Sequence, residues 1–517
     1  MELLGLMVLI FSVAVAFYYG WKVFNSLWLW PKRMEKCLRK QGLKGNSYRI
    51  LFGDLKDMAR LLKEAQSEPM TGFSHDIAPR LAPAPFQSIA KYGKNTFLWF
   101  GSTPSVVVLE PEHIREILSK NYIYQKPPRS PLSQRMARGT GWLEGDKWAK
   151  HRKLVVPAFY VEKLKYMVSS FHFCCSNLLS KWDEIIPNEG AFELDVWPYL
   201  KAFTSDVISH TAFGSNYEEG RAIFEVQEEK FGLLFKVHNS VYIPGSIFLP
   251  TQQNRRLHEL ERIIESTVMS IIDKRMKLLK AGGSCGDDFL GLLLESNIKE
   301  IEIGGNKCGL SMEEIIDECK DFYLAGNETT SILLVWTMIL LGKHTDWQSR
   351  AREEVLQLFG KRTPDYQELS HLKIVTMILH ETLRLYPPVI NLTRMTTEEC
   401  KLGDLSLPAG VRLQMPIILL HHDKKIWGDD AMEFNPSRFS KGVSHATQGR
   451  LVYLPFGSGP RICLGQNFST VEAKLAITMI LQRYSFSLSP SYTHAPMSAF
   501  VLQPQHGAHI MLEKIKA

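Results

Sequence analysis

PFGSGPRICLG, residues 455–465, sets one cysteine among three glycines, two prolines and an arginine. Glycine-rich loops often cradle phosphate, but the spacing here is neither GxxxxGK[ST] nor GxGxxG, because Ile462 stands where a third glycine would be needed. A nucleophilic thiol would want a histidine base, and the stretch contains none. What it offers is a rigid turn whose backbone amides can point at a sulfur, with Arg461 adding positive potential two residues before Cys463. Those features favour thiolate, the form that binds a metal. Structural zinc would need three further ligands, so a single cysteine leaves iron in a macrocycle as the simplest candidate.

Upstream, Ser311 and Glu314 form an S-x-x-E capping box. The helical pattern then runs to Leu341, with Gly342 suited to the stop. Thirty residues make a rod of about 45 Å, long enough to cross a domain. Its second half, SILLVWTMILL (331–341), is apolar all round but too short for a bilayer, and polar AGNETT (325–330) precedes it, so a buried central helix is expected. Gly326 and the threonines weaken that helix locally. They serve either packing, or the approach of a flat ligand to the backbone with an acid and an alcohol to deliver protons. In HETLRLYPP (380–388), Glu381 and Arg384 share a helix face among apolar neighbours, and FNPSRF (434–439) supplies Arg438 to complete a buried structural network.

The chain has 517 residues, 45% hydrophobic and 22% charged, the balance of a globular protein with a large core. A net charge of +7 spread over 61 basic and 54 acidic residues gives no reason to expect nucleic acid as a partner. Eight cysteines without CxxC pairs or regular spacing exclude a zinc framework or disulfide scaffold and fit a reducing compartment. Residues 3–19, LLGLMVLIFSVAVAFYY, are apolar but for Ser12. Trp21, Trp28 and Trp30 suit an interfacial belt, and Pro31-Lys32-Arg33 puts positive charge downstream. A cleaved signal peptide is the alternative, but a basic n-region and a small-residue cleavage site are lacking, so a retained anchor with a cytosolic body is expected. The organisation is therefore an anchor over 1–30, a linker and entry segment over 31–65, and a catalytic domain over 66–517. NTFLWFGSTPSVVVLE (95–110) reads as a hairpin around Gly101–Pro104, 110–400 is mostly helical, and 485–511 is extended with Pro490, Pro496 and Pro504. The fold class is mainly α, multihelical with small marginal β-sheets, after one N-terminal transmembrane helix.

The order of WxxxR (Trp148–Arg152), AGxxTT (Ala325–Thr330), ExxR (Glu381–Arg384), FxPxRF (Phe434–Phe439) and FxxGxRxCxG (Phe456–Gly465) resembles the cytochrome P450 family of haem-thiolate monooxygenases over nearly the whole chain. The resemblance implies the cytochrome P450 fold and haem b, with Cys463 as the proximal iron ligand and Phe456 beside the thiolate. It implies propionate partners at Trp148, Arg152, Arg394 and Arg461, room for the ring at Ala325, and an acid and alcohol, Glu328 and Thr329, that relay protons to bound dioxygen. Electrons would come from NADPH through a cytochrome reductase docking on a basic proximal face that includes Lys147, Lys150 and Lys153, with a cytochrome b-type donor as an additional partner. The implied location is the endoplasmic reticulum membrane, in contact with lipid.

GDKWAKHRK (145–153), DVWP (195–198) and ECKDFYLAGNETTS (318–331) are similar to the plant subfamily that includes secologanin synthase and several triterpenoid and gibberellin oxidases. The implied substrate is an apolar terpenoid hydroxylated at an unactivated C–H bond. The implied pocket walls are Ser130–Trp142, Phe231–Pro250, the central helix, Val389–Leu392 and the tail near Phe500. Two other classes remain open: a haem-thiolate isomerase or dehydratase that uses no dioxygen, and a non-catalytic haem-binding membrane protein. The sequons at Asn327, Asn391 and Asn467 are read as chance on a cytosolic body.

Overall fold

The structure is a computed structural model that describes residues 2–135, 137–214, 223, 225–230, 232–234, 249–283, 286–305, 307–499 and 501–515. Most of the Phe231–Pro250 wall and Phe500 lie outside the described residues. The chain divides into two compact units, one of Met1–Ser67, Ala78–Pro127 and Asn391–Leu419, the other of Glu68–Ile77, Pro128–Ile390 and Leu420–Ala517.

The first unit opens with the helix Glu2–Phe24, whose apolar side chains are exposed on every side, as a segment built for lipid must be. One π turn, Asn25–Leu29, passes it without a break into the helix Trp30–Lys40. Pro31 sits in the first turn of that second helix and donates no backbone bond to the π turn before it. Pro31, Glu35 and Leu38 are buried, so the segment after the anchor is packed rather than loose. The Tyr48 hydroxyl donates to the Leu27 carbonyl at 2.8 Å and accepts the Leu51 N–H at 3.2 Å, tying the next loop to the exit of the anchor. Beyond it lies a mixed six-stranded sheet in the order Lys44–Gly45, Thr96–Phe100, Thr103–Val107, Arg412–Met415, Leu392–Thr396, Tyr124–Gln125. The expected hairpin is its second and third strands, with Phe97 opposite Val106.

The second unit is helical. Its axis is the helix Met312–Lys343, started by the Ser311/Glu314 capping box: Glu314 N–H to Ser311 Oγ at 3.2 Å, Ser311 N–H to Glu314 Oε2 at 3.0 Å. Every residue from Thr330 to Gly342 is buried, as the all-round apolar pattern requires. The helix does not stop at Gly342. A Cβ there would stand 3.1 Å from the Leu488 backbone nitrogen, so this glycine lets the strand Tyr484–Leu488 cross the helix closely, and the C-cap falls at His344. Gly326 has a similar purpose: a Cβ would meet Ile208 Cδ1 at 2.2 Å, on the helix Trp197–Phe213. Its helix penalty of about 1 kcal/mol is offset by the complete burial of Ile208, worth about 1.5–3 kcal/mol. A three-stranded antiparallel sheet of Tyr484–Leu488, His509–Lys514 and Phe192–Asp195 contains the extended tail.

Glu381 and Arg384, on the helix Lys373–Leu385, are fully buried and paired by two hydrogen bonds of 2.8 Å. The guanidinium also donates to the carbonyls of His421 and Ala431 at 2.8 Å and of Glu433 at 3.2 Å. Glu381 accepts the Asn435 N–H at 3.0 Å and has Arg438 Nε at 3.7 Å. Arg438 is held by Asp430 at 2.8 Å and by the Trp427 carbonyl at 2.7 Å. Replacing Arg384 by alanine removes the main partner of a fully buried carboxylate, and the expected loss is about 3–5 kcal/mol of unfolding free energy, read by denaturant melts against Arg438→Ala, which should lose less because its closer partner Asp430 can turn to water.

His421 adds a bond that demands neutrality. Its Nε2 accepts the Leu454 N–H at 2.9 Å, so its Nδ1 carries the proton toward the Arg384 carbonyl at 3.1 Å. Burial pushes the imidazoles of His75, His421 and His422 down to about 3. Between that value and the ordinary 6.5 the unfolded chain binds protons that the folded chain does not, so their stabilisation is complete above pH 6.5 and lost as pH falls toward 3. Stability measured by thermal melts should therefore decline below pH 6.5, and His421→Asn, which keeps a donor and an acceptor without titrating, should flatten the slope.

Candidate functional site

The cysteine loop is built as its sequence suggests. Gly457 and Gly459 take φ values of 70° and 72°, a region that a side chain at either position would strain. A single 3-10 turn, Gly459–Arg461, then brings the chain round so that Cys463 N–H donates to the Phe456 carbonyl at 2.9 Å. Gly465 caps the following helix, Gln466–Arg483, and its N–H is directed at Cys463 Sγ. Cys463 is nevertheless accessible, in contrast to the buried Cys174, Cys175 and Cys319.

The charge around the sulfur differs from expectation in one respect. Burial raises the thiol above its ordinary value, and the Gly465 amide and the Arg152 guanidinium pull it down. The nearby cation is thus Arg152, whose Nη2 also donates to the Ile462 carbonyl at 2.9 Å. Arg461 instead pairs with Glu144 at 2.6 Å, donates to the Leu143 carbonyl at 2.6 Å and lies 4.2 Å over the ring of buried Trp148. A metal bonded to the sulfur would secure the anion against that burial, because coordination deprotonates a thiol outright. The donor set fits haem iron: one thiol, with the Gly465 amide directed at it and the Arg152 guanidinium nearby, and no cluster of three metal-ligating side chains among the described residues.

On the central helix, Ala325 is the one exposed residue between Ile315 and Gly342. Thr329, one turn further on the same face, donates its hydroxyl to the Ala325 carbonyl at 2.6 Å. Glu328 is ion-paired with Lys201 at 3.2 Å, and Lys201 also holds Glu228 at 2.9 Å. The packing and ligand readings of AGNETT therefore both hold, for different residues. Gly326 and Asn327 pack, the latter accepting the Thr204 hydroxyl at 2.7 Å, while Ala325, Glu328 and Thr329 line the open face. Thr330 Oγ1 to Ser469 Oγ, 3.0 Å, fastens this helix to the one that follows the cysteine loop.

Trp148, Arg152, Phe456, Arg461 and Cys463 thus form one contiguous group, and Ala325, Glu328 and Thr329 a second, joined through Thr330. Arg394 belongs to the other unit, on the strand Leu392–Thr396, where it is buried and donates to the Thr393 carbonyl at 2.9 Å. The three lysines are each engaged by an acid: Lys147 and Lys150 by Glu314 at 3.1 and 3.6 Å, Lys153 by Glu300 at 2.6 Å. Sequence reasoning missed His421, which joins the Arg384 helix to Leu454 at the entrance of the cysteine loop, and Lys201, the partner of the acid. Neither has a local signal, because each partner lies far away in the chain.

The comparisons agree with this geometry. The Cytochrome P450 family model matches residues 81–511. Cytochrome P450 CYP72A219 of Panax ginseng is 54% identical over 98% of both chains. Two proteins of Catharanthus roseus follow: secologanin synthase 1, 49% identical over 98% of this chain and 97% of its own, and 7-deoxyloganic acid hydroxylase, 48% over 97% and 98%. Among solved structures, retinoic acid-bound cyanobacterial CYP120A1 superposes with a TM-score of 0.73 at 21% identity, covering 85% of this chain and 96% of its own, a likeness of fold. A lone accessible cysteine in this loop, a helix with one open face and about half-identity over nearly the whole chain lead to one assignment: the chain belongs to the cytochrome P450 family, as a membrane-anchored haem monooxygenase of the plant subfamily that contains the CYP72A proteins and secologanin synthase.

Proposed function

We propose that this enzyme hydroxylates an unactivated C–H bond of an apolar plant terpenoid, of the iridoid, triterpenoid or gibberellin type, from the cytosolic face of the endoplasmic reticulum. The observation that carries the reaction is the open face of the central helix: a bare Ala325 amid buried neighbours, an alcohol one turn beyond it and an acid beside the alcohol. The terpenoid class is supported by relatives named for secologanin and 7-deoxyloganic acid.

In this reading Cys463 would hold the haem iron through its sulfur, Ala325 would give a flat ring room against the helix, and Phe456 would flank the sulfur. Arg152, Trp148, Arg461 and Arg394 would serve the propionates as charge-assisted and indole donors. Haem b supplies the iron at which dioxygen is activated, with electrons from NADPH through a reductase. The protein's part is to exclude water and to move protons. Thr329 must turn its hydroxyl from the Ala325 carbonyl toward the pocket, and Glu328 must exchange Lys201 for water to refill it. Reductase docking, and docking of a cytochrome b-type donor, uses the helix Gly145–Val155. There Lys147 and Lys153 stay largely exposed, and a partner's carboxylates would replace Glu314 and Glu300. The isomerase and non-catalytic readings are disfavoured by the intact acid and alcohol, for which neither has a use.

The deciding experiment supplies full-length enzyme in membranes with reductase, NADPH and labelled dioxygen to a panel of iridoids, triterpenoids and gibberellin precursors. Label in the product is expected; product without label would establish the isomerase reading instead. Cys463→Ser should abolish the red-displaced Soret band of the reduced carbon monoxide complex. Thr329→Ala should keep that band but send most NADPH electrons to hydrogen peroxide, and unchanged coupling would remove Thr329 from the proton path.

A further inference from the structure

Between the short helix at Pro131–Gln134 and the Trp148 helix runs a strap, Gly139–Glu144, seated on the central helix by carboxylates that the reaction does not use. Glu318 is 2% exposed, and its Oε1 takes three donors: the Thr140 N–H at 2.7 Å, the Thr140 hydroxyl at 2.9 Å and His151 Nδ1 at 2.7 Å. Against a carboxylate the ring nitrogen must donate. The other nitrogen of His151 lies 3.4 Å from Glu314 Oε1. One turn beyond Glu318, Asp321 accepts the Gly141 N–H at 3.1 Å. The seat leaves no room for side chains on the strap: a Cβ at Gly139 would stand 2.9 Å from the Asp321 carboxylate and 3.0 Å from the Asp317 carbonyl oxygen, and one at Gly141 would stand 3.1 Å from Asp321.

Two features connect this seat with the reaction. Glu318 precedes Ala325 by seven residues, two helical turns, so the strap docks on the same helix face about 10 Å before the open position. The far end of the strap is the anchorage of the cysteine loop, since Arg461 binds the Leu143 carbonyl and the Glu144 carboxylate. His151 lies between Trp148 and Arg152 on their own helix, directly before Arg152.

We propose that Glu318 is a positioning residue, which through Thr140 and His151 clamps the Gly139–Glu144 strap and the Trp148–Arg152 helix onto the central helix and so fixes the pocket wall beside Ala325. The proposal rests on reading the Ala325 face as the pocket. It predicts a defect in binding of ligands large enough to touch the wall, with the iron site intact.

The test uses full-length haem-loaded enzyme and two probes that bind iron through an imidazole nitrogen, one small and one bulky. Glu318→Gln should weaken 4-phenylimidazole at least fivefold by Soret titration, leave imidazole within twofold, and keep the displaced carbon monoxide band. Gly139→Ala, which lifts the strap while every charge remains, should do the same and covers the case in which the first variant fails to fold. Tryptic cleavage at Arg138, an exposed residue beside the strap, should quicken at least fivefold in both. Unchanged 4-phenylimidazole affinity and unchanged cleavage would overturn the clamp, as would equal weakening of both probes with loss of the band. If 4-phenylimidazole bound the unsubstituted enzyme no better than imidazole, the reading of the Ala325 face would fall, and the Arg138 cleavage rate would still decide the clamp.

Discussion

A buried guanidinium that finds an acceptor for every part of its fork is the constraint on which this molecule turns. Arg384 has no water to fall back on, and in a low-dielectric interior an unpaired charge would cost about 3–5 kcal/mol, a large share of a domain's margin of about 5–15 kcal/mol. The demand is met by gathering the carbonyls of residues 421, 431 and 433, which no helix or sheet would otherwise bring to one point. The chain between the strand Arg412–Met415 and the cysteine loop, where regular structure is limited to short helical turns such as Ile417–His421 and Lys424–Trp427, thereby acquires a fixed path. His421 extends the arrangement by one bond to Leu454, so the geometry of the loop that presents Cys463 is inherited from a charge pair that never touches the reaction.

The central helix meets an opposite requirement. Almost all of it is dissolved in core, yet it must offer one polar, accessible face in the middle. The conflict is settled residue by residue within two turns: Gly326 gives its space to Ile208, Asn327 turns to Thr204, Thr330 to Ser469, and Ala325, Glu328 and Thr329 are left on the open face. The hydroxyls that loosen the helix in isolation are held by tertiary partners, which is why the weak stretch stays helical.

How far all this could be read beforehand depended on the range of the forces involved. The capping box, the anchor, the Glu381/Arg384 pair and the turn at Gly457–Arg461 are determined by neighbours a few residues apart, and each was legible from the sequence. Gly342 was misjudged as a stop because a glycine at a helix end and a glycine under a crossing strand look the same until Leu488 arrives from 146 positions away. Arg461 seemed to be the cation for Cys463 by proximity in sequence. In three dimensions Glu144 and Trp148 take it, and Arg152, 311 residues upstream of the sulfur, acts instead. The lysines read as a bare docking face for the same reason, since their partners Glu300 and Glu314 lie on other helices.

These pieces bear on why the sulfur is placed as it is. A fully solvated cysteine would ionise more readily than this one, and a fully enclosed one could bond to nothing outside the loop. Cys463 lies between those limits: burial opposes the anion, one amide and one arginine favour it, and the side chain stays accessible. With Cys463 as the proposed iron ligand, the last part of thiolate stabilisation would fall to the metal, so ligation and deprotonation would be a single event. Donation by the sulfur could then be adjusted through Gly465 and Arg152 without touching the iron, the lever a haem-thiolate enzyme needs.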